Sequence, residues 1–188
     1  CYLDLDRFKL VNDTAGHSAG DQCLIQVTSL IQSCIRCDDI LGRLGGDEFG
    51  LILQNCNHES AIRISNSITK AIAEMNFSWD GCDYNLGVSI GLNPVNKYSK
   101  DAVDAIRKAD LACSAAKDRG RGQVYVYEEK DSELIKRQEE KYWATRINET
   151  IENNRLRIFA QPIISLKDKN PDDRHVEILV RLVGEDNK

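Results

Sequence analysis

No stretch of this 188-residue chain comes near the roughly 20 consecutive apolar residues that a membrane-spanning helix needs, so this segment is expected to make no membrane contact. Positive charge is not in excess either: the formal net charge is -5, which argues against a general nucleic-acid binder. No signal-peptide pattern is visible, and the seven cysteines, an odd number, are scattered without a disulfide framework, so a reducing cytoplasm is the expected location. Cys34-x-x-Cys37 lacks a second pair to complete a zinc site and lies at the end of a helical pattern, so it reads as two helix residues. His17, His58 and His175 share no spacing that would make a zinc site or a catalytic dyad. The length, with 41% hydrophobic residues, suits one ordinary domain plus something more.

What the chain does have is Arg43-Leu44-Gly45-Gly46-Asp47-Glu48-Phe49 set between apolar, strand-like residues, Ile40, Leu41 and Leu44 before and Phe49, Leu51, Ile52 and Leu53 after. This pattern predicts a β-hairpin whose two-residue Gly-Gly turn leads into two carboxylates. Glycines there permit a tight turn and a close approach of ligand to backbone. Alone, such a tip reads more readily as a surface hairpin with solvated acids. Cys1 to Leu5 reads as the end of an apolar strand with Asp4 near its edge, and Asp4 and Asp6, taken alone, read as a solvated strand end. If Asp4 lies beside the hairpin tip, Asp4 and Asp47 make a two-carboxylate oxygen site, which suits Mg2+ carrying a nucleotide phosphate better than zinc. Lys9 would add positive charge, and backbone N-H groups in the turn after the strand would cradle phosphate oxygens.

Periodicity supplies the frame. Leu24, Val27, Ile31 and Cys34 mark one amphipathic helix, and Ala61, Ile64, Ile68, Ile72 and Met75 mark a second. Residues 84–92 alternate as a strand, 102–117 form a third helix and 123–127 a closing strand. Helices alternating with mostly antiparallel strands predict an α+β fold, an antiparallel-rich central sheet flanked by helices. Residues 128–154 are rich in charge, with Leu134, Ile135, Tyr142, Trp143, Ile147 and Ile151 at spacings that suit a long connecting helix. Residues 156–164 and 176–181 then read as two strands around a polar loop.

The blocks Asp4-Leu5-Asp6-x-Phe8-Lys9-x-x-Asn12-Asp13, Gly16-His17-x-x-Gly20-Asp21, Gly45-Gly46-Asp47-Glu48-Phe49, Val88-Ser89-Ile90-Gly91 and Ala109-Asp110 with Lys117 and Arg121 occur in this order. Together they closely resemble the GGDEF family of diguanylate cyclases, over about residues 1 to 127. The resemblance implies a fold like the nucleotidyl cyclase and polymerase palm, and condensation of two GTP into cyclic di-GMP with release of two pyrophosphates. It implies Mg2+, with Mn2+ as the alternative, held by the carboxylates of Asp4 and Asp47 and the main-chain carbonyl of Leu5. It further implies guanine binding by Asn12 and Asp21. The chemistry agrees, because an anionic Asp21 accepts from the imino and amino protons that guanine has and adenine lacks. Main-chain N-H groups of Arg7, Phe8 and Lys9 would meet the phosphates, with Lys117 and Arg121 reaching them by side chain. Asp47 or Glu48 would take the proton of the attacking 3'-hydroxyl. Because the product has a twofold axis and one site holds one GTP, two protomers must face each other, and a homodimer is expected for catalysis. Arg36-Cys37-Asp38-Asp39 matches the family's Arg-x-x-Asp inhibitory site, in which Arg36 and Asp39 bind product.

Two positions depart from the family pattern: Ser114 stands where Tyr is usual, which should loosen packing on that helix, and Gly122 stands where Asn is usual, in the turn that aims Arg121. The strands after residue 155 resemble the opening of an EAL phosphodiesterase domain, with Gln161-Pro162-Ile163 and Glu177-Ile178-Leu179-x-Arg181. By that resemblance Gln161 and Arg181 would touch cyclic di-GMP and Glu177 would ligate a metal in a complete domain, although residues 155–188 are far short of the roughly 250 that such a barrel needs. The expected organisation is therefore 1–127 as a GGDEF domain truncated at its N-terminus, 128–154 as a connecting helix and 155–188 as the start of an EAL domain. By the same resemblance a sensor is usual upstream, and a membrane anchor could lie there. Three functions stay open at this level: an active diguanylate cyclase, a GTP-binding module that regulates a downstream phosphodiesterase, and a cyclic di-GMP receptor.

Overall fold

The computed structural model describes residues 1–129, 131, 136, 143, 147, 150–163 and 175–182. Two compact units divide the chain, Cys1–Arg137 and Gln138–Lys188. Among the described residues no helix is long and apolar enough to cross a membrane.

The first unit is built on a five-stranded sheet in the order β2-β3-β1-β6-β7. Its strands are β1 (Tyr2–Asp6), β2 (Ile40–Gly45), β3 (Glu48–Ile52), β6 (Gly87–Leu92) and β7 (Val124–Val126). Every neighbouring pair is antiparallel except β6 and β7. Four helices accompany it, α1 (Phe8–Ala15), α2 (His17–Cys34), α3 (His58–Glu74) and α4 (Ala102–Asp118). The expected α+β architecture is present.

Strand alternation separates the two faces of the sheet chemically. Leu3 and Leu5 of β1, Phe49 and Leu51 of β3, and Val88 and Ile90 of β6 bury one face in a cluster with Cys23, Leu24, Val27 and Ile31 of α2 and Ile68 and Ile72 of α3. The other face carries Tyr2, Asp4, Asp6, Glu48 and Ser89, and α4 crosses it. That crossing is very close, because a Cβ on Gly91 of β6 would overlap the carbonyl oxygen of Ala109 and the amide nitrogen of Cys113. The Cys113 thiol donates to the carbonyl of Ser89 at 3.2 Å, and burial pushes that thiol up to about 12, so it stays protonated.

Helix α3 shows how local chemistry starts an element. Asn57 is its N-cap, and its side-chain oxygen accepts from the Ser60 N-H at 2.8 Å. Replacing Asn57 with alanine should cost about 1 kcal/mol of stability, measured as a lower midpoint in chemical denaturation.

Three expectations change. The single strand over 84–92 is broken at Leu86: β5 (Cys82–Asn85) pairs instead with β4 (Asn76–Trp79) in a separate two-stranded sheet. Phe77 stacks on Trp79 of its own strand and meets Tyr84 directly across the hairpin, and that cross-strand pair is what periodicity along one segment does not reveal. The residues following β1 form a helix, α1, where a turn was read. The tip of the β2–β3 hairpin is also shifted: Gly45 is still in register, paired with Glu48, and the two turn residues are Gly46 and Asp47. A bulge at Leu44 causes the shift, and only Gly46, at φ 48°, needs the left-handed conformation.

In the second unit, β8 (Leu156–Ile163) pairs antiparallel with β9 (His175–Leu182), placing Gln161 opposite Glu177. The Arg181 guanidinium lies 5.3 Å from the centre of the Phe159 ring. Ile164 lies outside the described residues, as does most of the expected connecting helix. Residues 136, 143, 147 and 150–152 of that stretch are helical.

Candidate functional site

The acidic residues read from the hairpin and from the first strand meet at one end of the sheet. Asp4 pairs across the ladder with Glu48, and the Leu5 N-H donates to the Asp47 carbonyl at 3.1 Å. The turn residue Asp47 is therefore tied by its backbone to the residue that follows Asp4. Register alone does this: β1 runs antiparallel to β3, so the end of one meets the start of the other.

The chain then turns within a single residue. Arg7, at φ 67° and ψ 11°, is left-handed and leads straight into α1 with no side chain capping the helix. A non-glycine residue in that conformation costs about 1–2 kcal/mol. The first N-H groups of α1 thus have no side-chain cap, an arrangement suited to phosphate oxygens. Arg7 and Lys9 are exposed, while Phe8 is buried and anchors the helix start in the core.

Asn12 and Asp21 come together through the close approach of α1 to α2. A Cβ on Gly20 would overlap the Asn12 side-chain oxygen, so the Asn12 carboxamide lies against the residue immediately before Asp21. Asp21 is exposed at that point on α2.

Lys117 and Arg121 arrive from the end of α4. Lys117 Nζ is 2.5 Å from Asp4 Oδ2, and Arg121 Nε is 3.8 Å from Asp6 Oδ1. The Asp4–Lys117 pair is lopsided. Burial raises the Asp4 carboxyl above the ordinary aspartate value, Lys117 offsets part of this, and Asp47 and Glu48 raise it again. For Lys117, burial is the largest influence and opposes the charge, but the hydrogen bond and the charge of Asp4, with smaller help from Cys113 and Asp47, together outweigh it and hold the ammonium above its ordinary value. One lysine is not enough cation for three neighbouring acids.

Residues 1–123 match the family described as "Diguanylate cyclase, GGDEF domain". The chain belongs to that family. It is 38% identical over 185 residues to the cyclic di-GMP phosphodiesterase PdeB of Shewanella oneidensis, covering 97% of this chain and 21% of PdeB. To the probable diguanylate cyclase DgcE of Escherichia coli it is 47% identical over 127 residues, 68% of this chain and 12% of DgcE. It thus spans about a fifth of one relative and about an eighth of the other. Among solved structures, the GGDEF domain of TpbB (YfiN) from Pseudomonas aeruginosa matches with TM-score 0.66 and 30% identity, covering 72% of this chain and 79% of that one. The GGDEF domain of DgcB from Caulobacter crescentus, solved with cyclic di-GMP, matches with TM-score 0.63 and 28% identity over 67% of this chain and 75% of that one.

In this GGDEF domain the donor set fits a hard divalent cation. Asp4, Asp47 and the Leu5 carbonyl offer only oxygen. Among the described residues no group of three His, Cys, Asp or Glu side chains is placed to hold a metal.

Two residues of the site escaped the sequence reading. Tyr2 lies on the Asp4 face and donates its hydroxyl to Glu48, and burial followed by that hydrogen bond pushes its phenol well above the ordinary value. Asp6, given no role of its own and reading as a solvated strand end only when taken alone, is only 5% exposed and accepts from the Ser89 hydroxyl and the Gly122 N-H. The period-2 position of both, on the face of Asp4, was the available signal.

The Arg36–Asp39 segment lies apart, before β2. Both carboxylate oxygens of Asp39 are engaged, accepting from the N-H groups of Arg36 at 2.9 Å and Gln54 at 3.0 Å. Asp39 thereby ties the α2–β2 turn to the end of β3, while Arg36 is exposed.

Proposed function

We propose that this GGDEF domain is a diguanylate cyclase, joining two GTP into cyclic di-GMP with release of two pyrophosphates. The observation that carries the reading is the convergence, at one sheet end, of Asp4, Asp47 and Glu48 with the uncapped start of α1 and the two basic side chains from α4.

Asn12 and Asp21 hold guanine, and the N-H groups of Arg7, Phe8 and Lys9 with Lys117 and Arg121 hold the phosphates. Asp4, Asp47 and the Leu5 carbonyl hold Mg2+ or Mn2+, which when bound neutralises the α-phosphate and acidifies the attacking 3'-hydroxyl. Asp47 or Glu48 accepts that proton, and the Tyr2 hydroxyl keeps Glu48 in place. Lys117 has two anionic partners to choose between, Asp4 when the nucleotide is absent and phosphate when it is bound. Two protomers face each other across two nucleotides, since each site holds one half of a symmetric product.

Incubation of the purified chain with GTP and Mg2+ tests the reading: cyclic di-GMP forms, and Asp47→Ala abolishes it. GTP binding without product would favour a regulatory module instead. That alternative draws on the matches to PdeB and to the Escherichia coli phosphodiesterase PdeR, which run over 97% and 96% of this chain and so extend through its second unit. They support reading β8 and β9 as the opening of an EAL domain, with Gln161, Glu177 and Arg181 in a tandem GGDEF-EAL protein.

Arg36 and Asp39 form a product-inhibition site in this reading. Arg36→Ala should relieve inhibition by added cyclic di-GMP with little change in melting temperature, because the side chain is exposed and, among the described residues, only the Arg36 backbone is engaged. Asp39→Ala should relieve it too, but lower stability by about 1 kcal/mol through the two released N-H groups.

A further inference from the structure

The buried carboxylate of Asp6 has no role in the reading above, and it sits where a negative charge should be unwelcome, one residue before the left-handed Arg7 that opens the phosphate-binding start of α1. Its contacts explain it. Ser89 Oγ lies 3.0 Å from both Asp6 oxygens, and the Gly122 N-H donates to Oδ2 at 3.0 Å. Gly87, directly across the ladder from Asp6, leaves the space the carboxylate occupies: a Cβ there would come within 3.2 Å of Oδ2.

The turn that Asp6 grips is unusual. Gly120, Arg121 and Gly122 all have positive φ, at 116°, 62° and 58°. Arg121 is the non-glycine of the three, and its own N-H reaches back to the Ala116 carbonyl at 3.1 Å. The two glycines adopt positive φ freely, but Arg121 is held there only with support from its surroundings. The Gly122 N-H on Asp6 supplies it, which also accounts for a residue at 122 that tolerates left-handed backbone. With the turn so held, the Arg121 guanidinium is 62% exposed and lies beside Asp6, at the mouth of the β1–α1 turn.

We propose that Asp6 is a positioning residue: through Ser89 and Gly122 it pins the α4–β7 turn to the end of β1, so that Arg121 is presented to an anion bound at the start of α1. The proposal rests on the reading of that helix start as the site of the GTP phosphates. Arg121 is the residue that touches ligand, and Asp6 acts only through it.

Equilibrium binding of GTP and of guanosine to the full chain tests this, using wild type, Asp6→Asn, Arg121→Ala and the double variant. Guanosine keeps the base recognised by Asn12 and Asp21 and lacks the phosphates. GTP affinity should fall on the order of tenfold in each single variant, with no further loss in the double, as one charge-assisted contact predicts. Guanosine affinity should be the same in all four. Asp6→Asn binding GTP like the wild type would overturn the proposal, as would losses that multiply in the double variant, or guanosine binding that falls in parallel with GTP. If Asp6→Asn does not fold, Ser89→Ala decides: it removes one donor and leaves the carboxylate, so a smaller loss confined to GTP supports the proposal and an unchanged GTP affinity overturns it. Failure of the wild type to bind GTP at all would bring down the nucleotide reading itself, and the proposal with it.

Discussion

Asp4→Asn should reduce cyclic di-GMP formation on the order of 10³-fold while raising the melting temperature of the metal-free protein. The first effect follows from removing a carboxylate that, in the proposed reading, holds the metal, since metal stabilisation of developing charge amounts to several kcal/mol and each 1.36 kcal/mol is tenfold in rate. The second follows from the environment of Asp4, whose carboxyl is held above the ordinary aspartate value by burial, with Lys117 only partly compensating and Asp47 and Glu48 adding to the rise. Below the ordinary value the group is neutral in folded and unfolded chains alike. As pH rises through the elevated native value, the fold must take up a charge that the unfolded chain carries more easily, so stability falls across that window. Asparagine takes up no charge, and Lys117, one-third exposed, can turn its ammonium to water. Thermal melts of the two proteins without metal, at pH 4 and at pH 7, check this. A variant that melts below the wild type at pH 7 would show that the Lys117 pair outweighs the crowding of acids. Mg2+ with GTP should raise the melting temperature of the wild type and leave Asp4→Asn almost unmoved.

Gly91→Ala should be among the most damaging single-methyl changes in the first unit. Its Cβ would overlap backbone atoms of α4, the Ala109 carbonyl oxygen and the Cys113 nitrogen, and backbone cannot rotate away as a side chain can. Overpacking typically costs about 1–3 kcal/mol, and a clash with backbone on both sides belongs at the top of that range. At about 4 °C per kcal/mol for a unit of this size, the melting temperature should drop by roughly 12 °C. Activity should fall as well, because the same helix carries Lys117 and leads into Arg121. A variant that loses stability yet keeps GTP affinity would show that α4 can lift from β6 without moving its far end. Gly50→Ala, where a Cβ would meet only the Leu44 side chain at 3.4 Å and beyond, is the control and should be mild.

Much of the site was legible because it is local. Asp4-Leu5-Asp6, the segment from Gly16 to Asp21 and the hairpin tip each lie within a few residues, and their chemistry is set by residue type and spacing. Apolar periodicity likewise located α3 and α4 to within a few residues of their observed bounds, while α2, marked from Leu24, begins seven residues earlier at His17. The misreadings have a common origin. The break at Leu86 comes from cross-strand pairing of β4 with β5, the displaced turn from a bulge at Leu44, and the burial of Asp6 from Ser89 and Gly122, which are 83 and 116 residues away along the chain.

By itself, then, the sequence determined the α+β class, the GGDEF family, and which acids, amides and bases gather in the segments of the candidate site. Tertiary structure alone decided how they are used. It paired Asp4 with Lys117, set Tyr2 against Glu48, spent both oxygens of Asp39 on backbone, and turned Asp6 into the anchor of the Arg121 turn. The physical reason is that a carboxylate's role depends on burial and on the donors within about 3 Å of it, and across a sheet those donors come from strands and helices that sequence spacing does not bring together.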